Sequence, residues 1–223
     1  MFLKRELPHW KVVLPQWLEP LAERMPGLRG EDLTRFLPPP EGGRAAAVLM
    51  LMGESPDGPD VLIIERAHDM RSHAGQPALP GGALDPGDTG PIDAALREAH
   101  EETALDPAGV EPFALLPDLW VPVSDFVVTP VLAWWRDPSP VRVADPTEVA
   151  SVHRVPIGQL VDPARRMRVR HPSGYVGLGF DVAGLLVWGF TAGLISGLLD
   201  LAGWSRPWDP DRIVDLTAGE ELT

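Results

Sequence analysis

Apolar residues along this chain gather in short blocks of two kinds. RAAAVLMLM (44–52) and VLIIER (61–66) are compact apolar runs, and the turn-rich GESPDGPD between them predicts a β-hairpin. EPFALLPDLW (111–120), DFVVTPVLAWW (125–135) and PVRVAD (140–145) predict further strands, and TEVASVHRVPIGQLVD (147–162) a strand followed by a short turn. Helical spacing marks LPQWLEPLAERM (14–25) and GEDLTRFL (30–37), while GPIDAALREAHEET (90–103) predicts a full helix. There Pro91 suits the first turn, Asp93 complements the positive N-terminal end, and Ala and Leu fill the interior. Helices and strands alternating around one core imply an α+β fold, α/β in the broad sense, with a mixed β-sheet sandwiched between helices.

The same pattern divides the chain. Residues 1–43 read as an N-terminal helical extension ending in the joint PPPEGG, residues 44–204 as the main domain, and residues 205–223 as a C-terminal tail. Residues 67–90 are too rich in Gly and Pro for a regular element, and a loop of that length is a mild sign of function. The apolar run VAGLLVWGFTAGLISGLL (182–199) holds four glycines, Thr191 and Ser196 and stops at Asp200, which favours a buried C-terminal helix over a membrane span.

Composition narrows the function. A chain of 223 residues with 44% hydrophobic content can bury a sizeable core. Its net charge of −13 argues against nucleic acid or an anionic membrane as the main partner. The absence of cysteine removes disulfides, thiolate catalysis and Cys-ligated zinc, and the N-terminus lacks the apolar stretch of a signal peptide, so a cytoplasmic location is expected.

Chemistry concentrates in LREAHEETALDP (96–107). On a helix turning about 100° per residue, Glu98, Glu101 and Glu102 share an arc of about 100°, beside a stripe of Ile92, Ala95, Leu96 and Ala99. Like charges one turn apart destabilise an isolated helix by roughly 0.2–0.5 kcal/mol, so something must offset them. A solvated acidic face is the commoner use of such a helix; a hard divalent cation, which takes oxygen ligands, is the alternative. Arg97 lies one turn before Glu101 and can brace it. The glycines of PGG (80–82) let the backbone approach a ligand or metal closely, although most such pairs are simply turns.

GGALDPGDTGPIDAALREAHEETAL (81–105) resembles the Nudix box, in which a glycine, a glutamate and an Arg-Glu-x-x-Glu-Glu core recur at fixed spacing; REAHEE (97–102) matches every fixed position of that core. Three departures stand out. Arg97 lies one residue further from Gly82 than in the general pattern, the first glutamate is missing with Asp85 and Asp88 nearby, and Ala104 replaces the late glycine, which suggests a different helix exit. Upstream, LIIERAHDMRSHAGQPALPGGALDPGD (62–88) resembles the additional signature of the coenzyme A pyrophosphatase branch, with Arg66, Ala67, Arg71, Gly75, Pro80, Gly81, Gly82 and Asp85 in place and Leu79 for the usual Phe. That branch commonly has the longer spacing before its arginine, and DFVVTPVLAW and VWGFTAGL also resemble it.

The resemblance implies a magnesium-dependent hydrolase, with manganese as the alternative ion, that cleaves coenzyme A or a related nucleoside diphosphate derivative. Coenzyme A would yield 3′-phosphoadenosine 5′-phosphate and 4′-phosphopantetheine. By matching positions, Glu98 and Glu102 hold the metal, Glu101 is a ligand or the base, a carbonyl of Gly81 or Gly82 completes the shell, and Arg97 orients Glu101. Glu148, in DPTEVAS, is a second candidate base, although such a residue is more often an ordinary loop acid. Arg66 and Arg71 are candidates to receive phosphate, since guanidinium binds its oxygens bidentately; a fold salt bridge or surface charge is the competing use. An oxygen-rich site does not need His73 or His100, and Trp134 and Trp135 suit either adenine stacking or, more commonly, core packing. Alternative substrates are ADP-ribose, dinucleotides and nucleoside triphosphates, and the alternative class is a non-catalytic nucleotide-binding regulator. A homodimer is compatible with the sequence, although no specific feature encodes one.

Overall fold

The predicted hairpin forms between strands β1 (Arg44–Ser55) and β2 (Gly58–Arg66), closed by Pro56 and Asp57. A computed structural model describes residues 12–34, 36–69 and 74–216, so Arg71 and His73 lie outside the described residues. A short helix α1 (Glu19–Arg24) precedes the hairpin. After it come β3 (Pro77–Ala78), β4 (Gly81–Ala83) and helix α2 (Pro91–Thr103). Next are β5 (Val110–Leu115), β6 (Leu119–Val121), β7 (Phe126–Trp135), β8 (Val149–Pro156) and the single turn α3 (Ile157–Leu160). The chain then adds β9 (Arg166–Arg170), β10 (Val176–Val182), β11 (Leu185–Trp188), helix α4 (Gly189–Leu201) and β12 (Ile213–Asp215).

The first sheet is mixed. β1 runs antiparallel to β2 and parallel to β7; β8 continues the sheet antiparallel to β2, and β5 antiparallel to β7. Alternation along β1 sorts its side chains between two cores. Ala47, Leu49 and Leu51 meet Ala94, Ala95 and Ala99 of α2, while Met50 and Met52 join Leu194, Ile195 and Leu198 of α4 with Leu18 and Leu21 from the N-terminal segment. Burial on both faces explains why RAAAVLMLM reads as a continuous apolar run rather than an alternating one. The alanines of α2 bring its backbone close to β1, and so bring the carboxylates of its flank against the glycines of β4.

Several predicted elements take another form. Residues 182–199 are not one helix: Val182 pairs with Leu185 across a two-residue turn, and only Gly189–Leu201 is helical. Ala183 and Gly184 have φ of +52° and +81°, the geometry of a tight hairpin, which apolar content alone does not announce. Among the described residues no helix is long and apolar enough to cross a membrane. GEDLTRFL gives only a 3₁₀ turn at Gly30–Asp32, because Asp32 and Thr34 spend their side-chain oxygens on the N–H groups of Arg29 and Phe36. The glycine- and proline-rich loop contains two short strands, β3 and β4. PVRVAD is not a strand; the N–H groups of Arg142 and Ala144 donate to the carbonyls of Thr103 and Glu102, both at 3.0 Å, and so satisfy the open end of α2. Residues 166–188 and 213–215 build a second, four-stranded sheet in the order β11-β10-β9-β12.

Candidate active site

Three carboxylates from two distant parts of the chain converge at the edge of α2. Oxygens of Glu98, Glu102 and Glu148 all lie within 4.8 Å of one another. Glu98 and Glu102 come from successive turns of α2. Glu148 comes from the turn before β8, held because Ala67 at the end of β2 donates its N–H to the Glu148 carbonyl at 2.8 Å. The β2–β8 pairing, which sets Arg66 opposite Val149, thus carries Glu148 to the helix.

Glu102 is 1% exposed. Its Oε2 accepts the N–H of Gly81 at 3.0 Å, whereas its buried Oε1 has no hydrogen-bond partner among the described residues and lies 3.9 Å from the Arg66 guanidinium. Burial pushes its carboxyl up to about 8, against the opposing pull of the Gly81 N–H and Arg66, and the charges of Glu98 and Glu148 add to the rise. Burial also raises Glu98, with Arg97 pulling the other way. A site that disfavours negative charge on two acids while leaving a buried oxygen unsatisfied fits an oxygen-seeking divalent cation. Gly82 shapes the other wall: any side chain there would run into the Glu98 carboxylate, and one at Gly81 would strike the Ala47 carbonyl.

Arg97 is the organiser beside this cluster. Its guanidinium grips Asp88 through Nε at 3.1 Å and Nη2 at 3.0 Å, and reaches Glu98 at 2.9 Å, Glu101 at 3.1 Å and the carbonyl of Ala83 at 3.2 Å. The hydrogen bond from Arg97 holds Asp88 below the usual carboxylate range. Of the two aspartates near the missing glutamate, Asp88 therefore makes the close contacts; Asp85 stays 3.8 Å from Arg97 and caps the turn by donating its N–H to Asp88.

The predicted site residues thus separate. Glu98, Glu102, Gly82 and Arg66 lie together, and Glu148 joins them, whereas Glu101 sits on the exposed flank, paired with Arg97. His100 closes the helix end, its Nδ1 lying 2.8 Å from the Leu105 carbonyl. Trp134 and Trp135 are 8% and 1% exposed; the first packs edge-on against Trp17 and the second lies under Arg154, so both serve the core rather than a stacked base.

Comparison with known proteins identifies the family. Residues 42–174, more than half of the chain, match the NUDIX domain family model. The uncharacterized Nudix hydrolase NudL of Escherichia coli O6:H1 is 39% identical over 159 residues, which span 70% of this chain and 81% of that protein. Its counterpart from Shigella flexneri is 38% identical over 163 residues, 71% of this chain and 83% of that one. The chain therefore belongs to the Nudix hydrolase family. A solved Nudix hydrolase structure from Nitrosomonas europaea aligns with a TM-score of 0.48 at 15% identity, covering 79% of this chain and 81% of that one.

Proposed function

We propose that this Nudix hydrolase cleaves the diphosphate bond of coenzyme A or its derivatives, with magnesium, or manganese in its place, as cofactor. The observation that carries the hydrolytic reading is the convergence of Glu98, Glu102 and Glu148 around the unsatisfied Oε1 of Glu102. The substrate reading is supported by the signature formed by Arg66, Ala67, Arg71, Gly75, the PGG turn and Asp85, which resembles the coenzyme A pyrophosphatase branch.

Hydrolysis adds water across the P–O–P linkage and releases two phosphate monoesters, 3′-phosphoadenosine 5′-phosphate and 4′-phosphopantetheine. The anionic oxygens of a diphosphate repel a nucleophile, so the site must supply positive charge. Glu98, Glu102 and Glu148 would hold a divalent cation, which would supply that charge and make a bound water more acidic. Arg66 offers a second cation: its Nε is buried without a hydrogen-bond partner among the described residues, ready to donate to a phosphate oxygen. Arg71 is assigned the same task on sequence grounds. Gly82 leaves room for the Glu98 carboxylate, and Arg97 fixes Glu98 and Glu101 in place through its grip on Asp88.

Purified protein incubated with coenzyme A, ADP-ribose and NADH, with and without magnesium, tests the proposal by product mass. We expect 4′-phosphopantetheine from coenzyme A only when magnesium is present. Cleavage of ADP-ribose or NADH alone would discard the substrate and keep the chemistry, and no turnover of any of them would overturn the reading.

A further inference from the structure

The strap 141–148 between β7 and β8 has no regular structure, yet its hydrogen bonds tie the two halves of the carboxylate cluster together. At its start, Arg142 and Ala144 donate to the carbonyls of Thr103 and Glu102 on α2. At its end, the N–H groups of Glu148 and Val149 donate to the Asp145 carbonyl at 3.2 and 2.9 Å, and the Glu148 carbonyl accepts from Ala67. Between these anchors, one oxygen of Asp145, Oδ1, accepts both the N–H of Thr147 at 2.8 Å and its hydroxyl at 2.6 Å. Pro146 has no N–H to offer and fixes its own φ, and the side chain of Asp145 adds the bonds to Thr147 that brace the turn its own carbonyl closes. Asp145 contributes no oxygen to the cluster itself.

We propose that Asp145 is a positioning residue, whose carboxylate locks the 145–148 turn and thereby delivers Glu148 to Glu98 and Glu102. The proposal rests on the reading of those three acids as a cation site. Because Ala144 hangs from the carbonyl of Glu102, the strap takes its bearing from the helix that carries the other two carboxylates.

The test is the affinity of the full chain for manganese alone, measured by calorimetry on wild type, Asp145→Ala, Asp145→Asn, Glu148→Gln and the Asp145→Ala/Glu148→Gln pair. Asp145→Ala is expected to weaken binding about tenfold, the scale on which residues orienting metal ligands act. Asp145→Asn keeps the acceptor oxygen and should stay within about twofold of wild type, and adding Asp145→Ala to Glu148→Gln should cost less than about twofold more, because the two act through one contact. Thr147→Ala, which removes one of the two donors, should weaken binding in the same direction and carries the test if Asp145→Ala does not fold. Equal loss from Asp145→Ala with and without Glu148, or loss from Glu148→Gln with none from Asp145→Ala or Thr147→Ala, would overturn the positioning role alone. An unchanged affinity in Glu148→Gln would overturn the cation-site reading and the inference with it.

Discussion

Burial gives Glu102 one oxygen bonded to the Gly81 N–H and another with no hydrogen-bond partner, and the physical consequences can be measured in both stability and rate. Its carboxyl is pushed up to about 8 from an ordinary 4.5, so between those values the folded protein holds a proton that the unfolded chain releases. The contribution to stability is full at low pH and is lost as pH rises through about 8. Glu98 shifts in the same direction. Cation-free protein should therefore melt at a lower temperature near pH 8.5 than near pH 5, and Glu102→Gln, which has no proton to lose, should flatten that slope. The same substitution is expected to lower kcat on the cleaved diphosphate by roughly 100-fold or more with the circular dichroism spectrum unchanged, since it removes a charge the reaction needs without changing the side chain's shape. At this scale the sequence was informative where neighbours are local. Glu98 and Glu102 are one helical turn apart, so their meeting follows from periodicity. The burial of Glu102 does not, because it depends on how closely Ala94, Ala95 and Ala99 let α2 settle on β1.

Helix α2 ends as a helix ending in glycine would, although the residue is alanine. Ala104 takes φ of +56° and ψ of +23°, and its N–H donates to the His100 carbonyl at 2.8 Å. The departure at Ala104 thus leaves the exit geometry in place and adds strain from a Cβ in the left-handed region. Ala104→Gly should relieve that strain and stabilise the protein by about 1 kcal/mol in chemical denaturation, with activity unchanged. A destabilising result would mean that the neighbouring packing, not the backbone, sets the helix end. The strap 141–148 marks the limit of element prediction. VRV has the composition of a strand, but the N–H groups of Arg142 and of Ala144 just beyond it go to the carbonyls of α2 instead of a strand partner. In residues 182–188 the apolar content suits helix and strand equally, and Ala183 and Gly184 decide the outcome through their positive φ.

Across the whole molecule, the candidate site exists because the mixed sheet brings three separate segments to one place. β4 lays Gly81 and Gly82 along β1, α2 packs over the same strand, and β8 pairs with β2 so that Glu148 arrives beside Glu102. Sequence pattern identified the helix and the glycine turn, and the alternation of elements gave the mixed sheet. It did not reveal the junction of β2 with β8, since strand order is set by packing between segments far apart in the chain. That is why Glu148 reads as an ordinary loop acid until the sheet is assembled, while Glu101, adjacent in sequence to Glu102, sits on the exposed flank and meets Glu98 through Arg97. The central claim is that these assembled carboxylates form a single cation site. Anomalous diffraction from crystals of the protein grown with manganese tests it most directly. The account predicts one strong peak bounded by Glu98, Glu102 and Glu148; a peak on Glu101 without Glu148, or none at the end of α2, would contradict it.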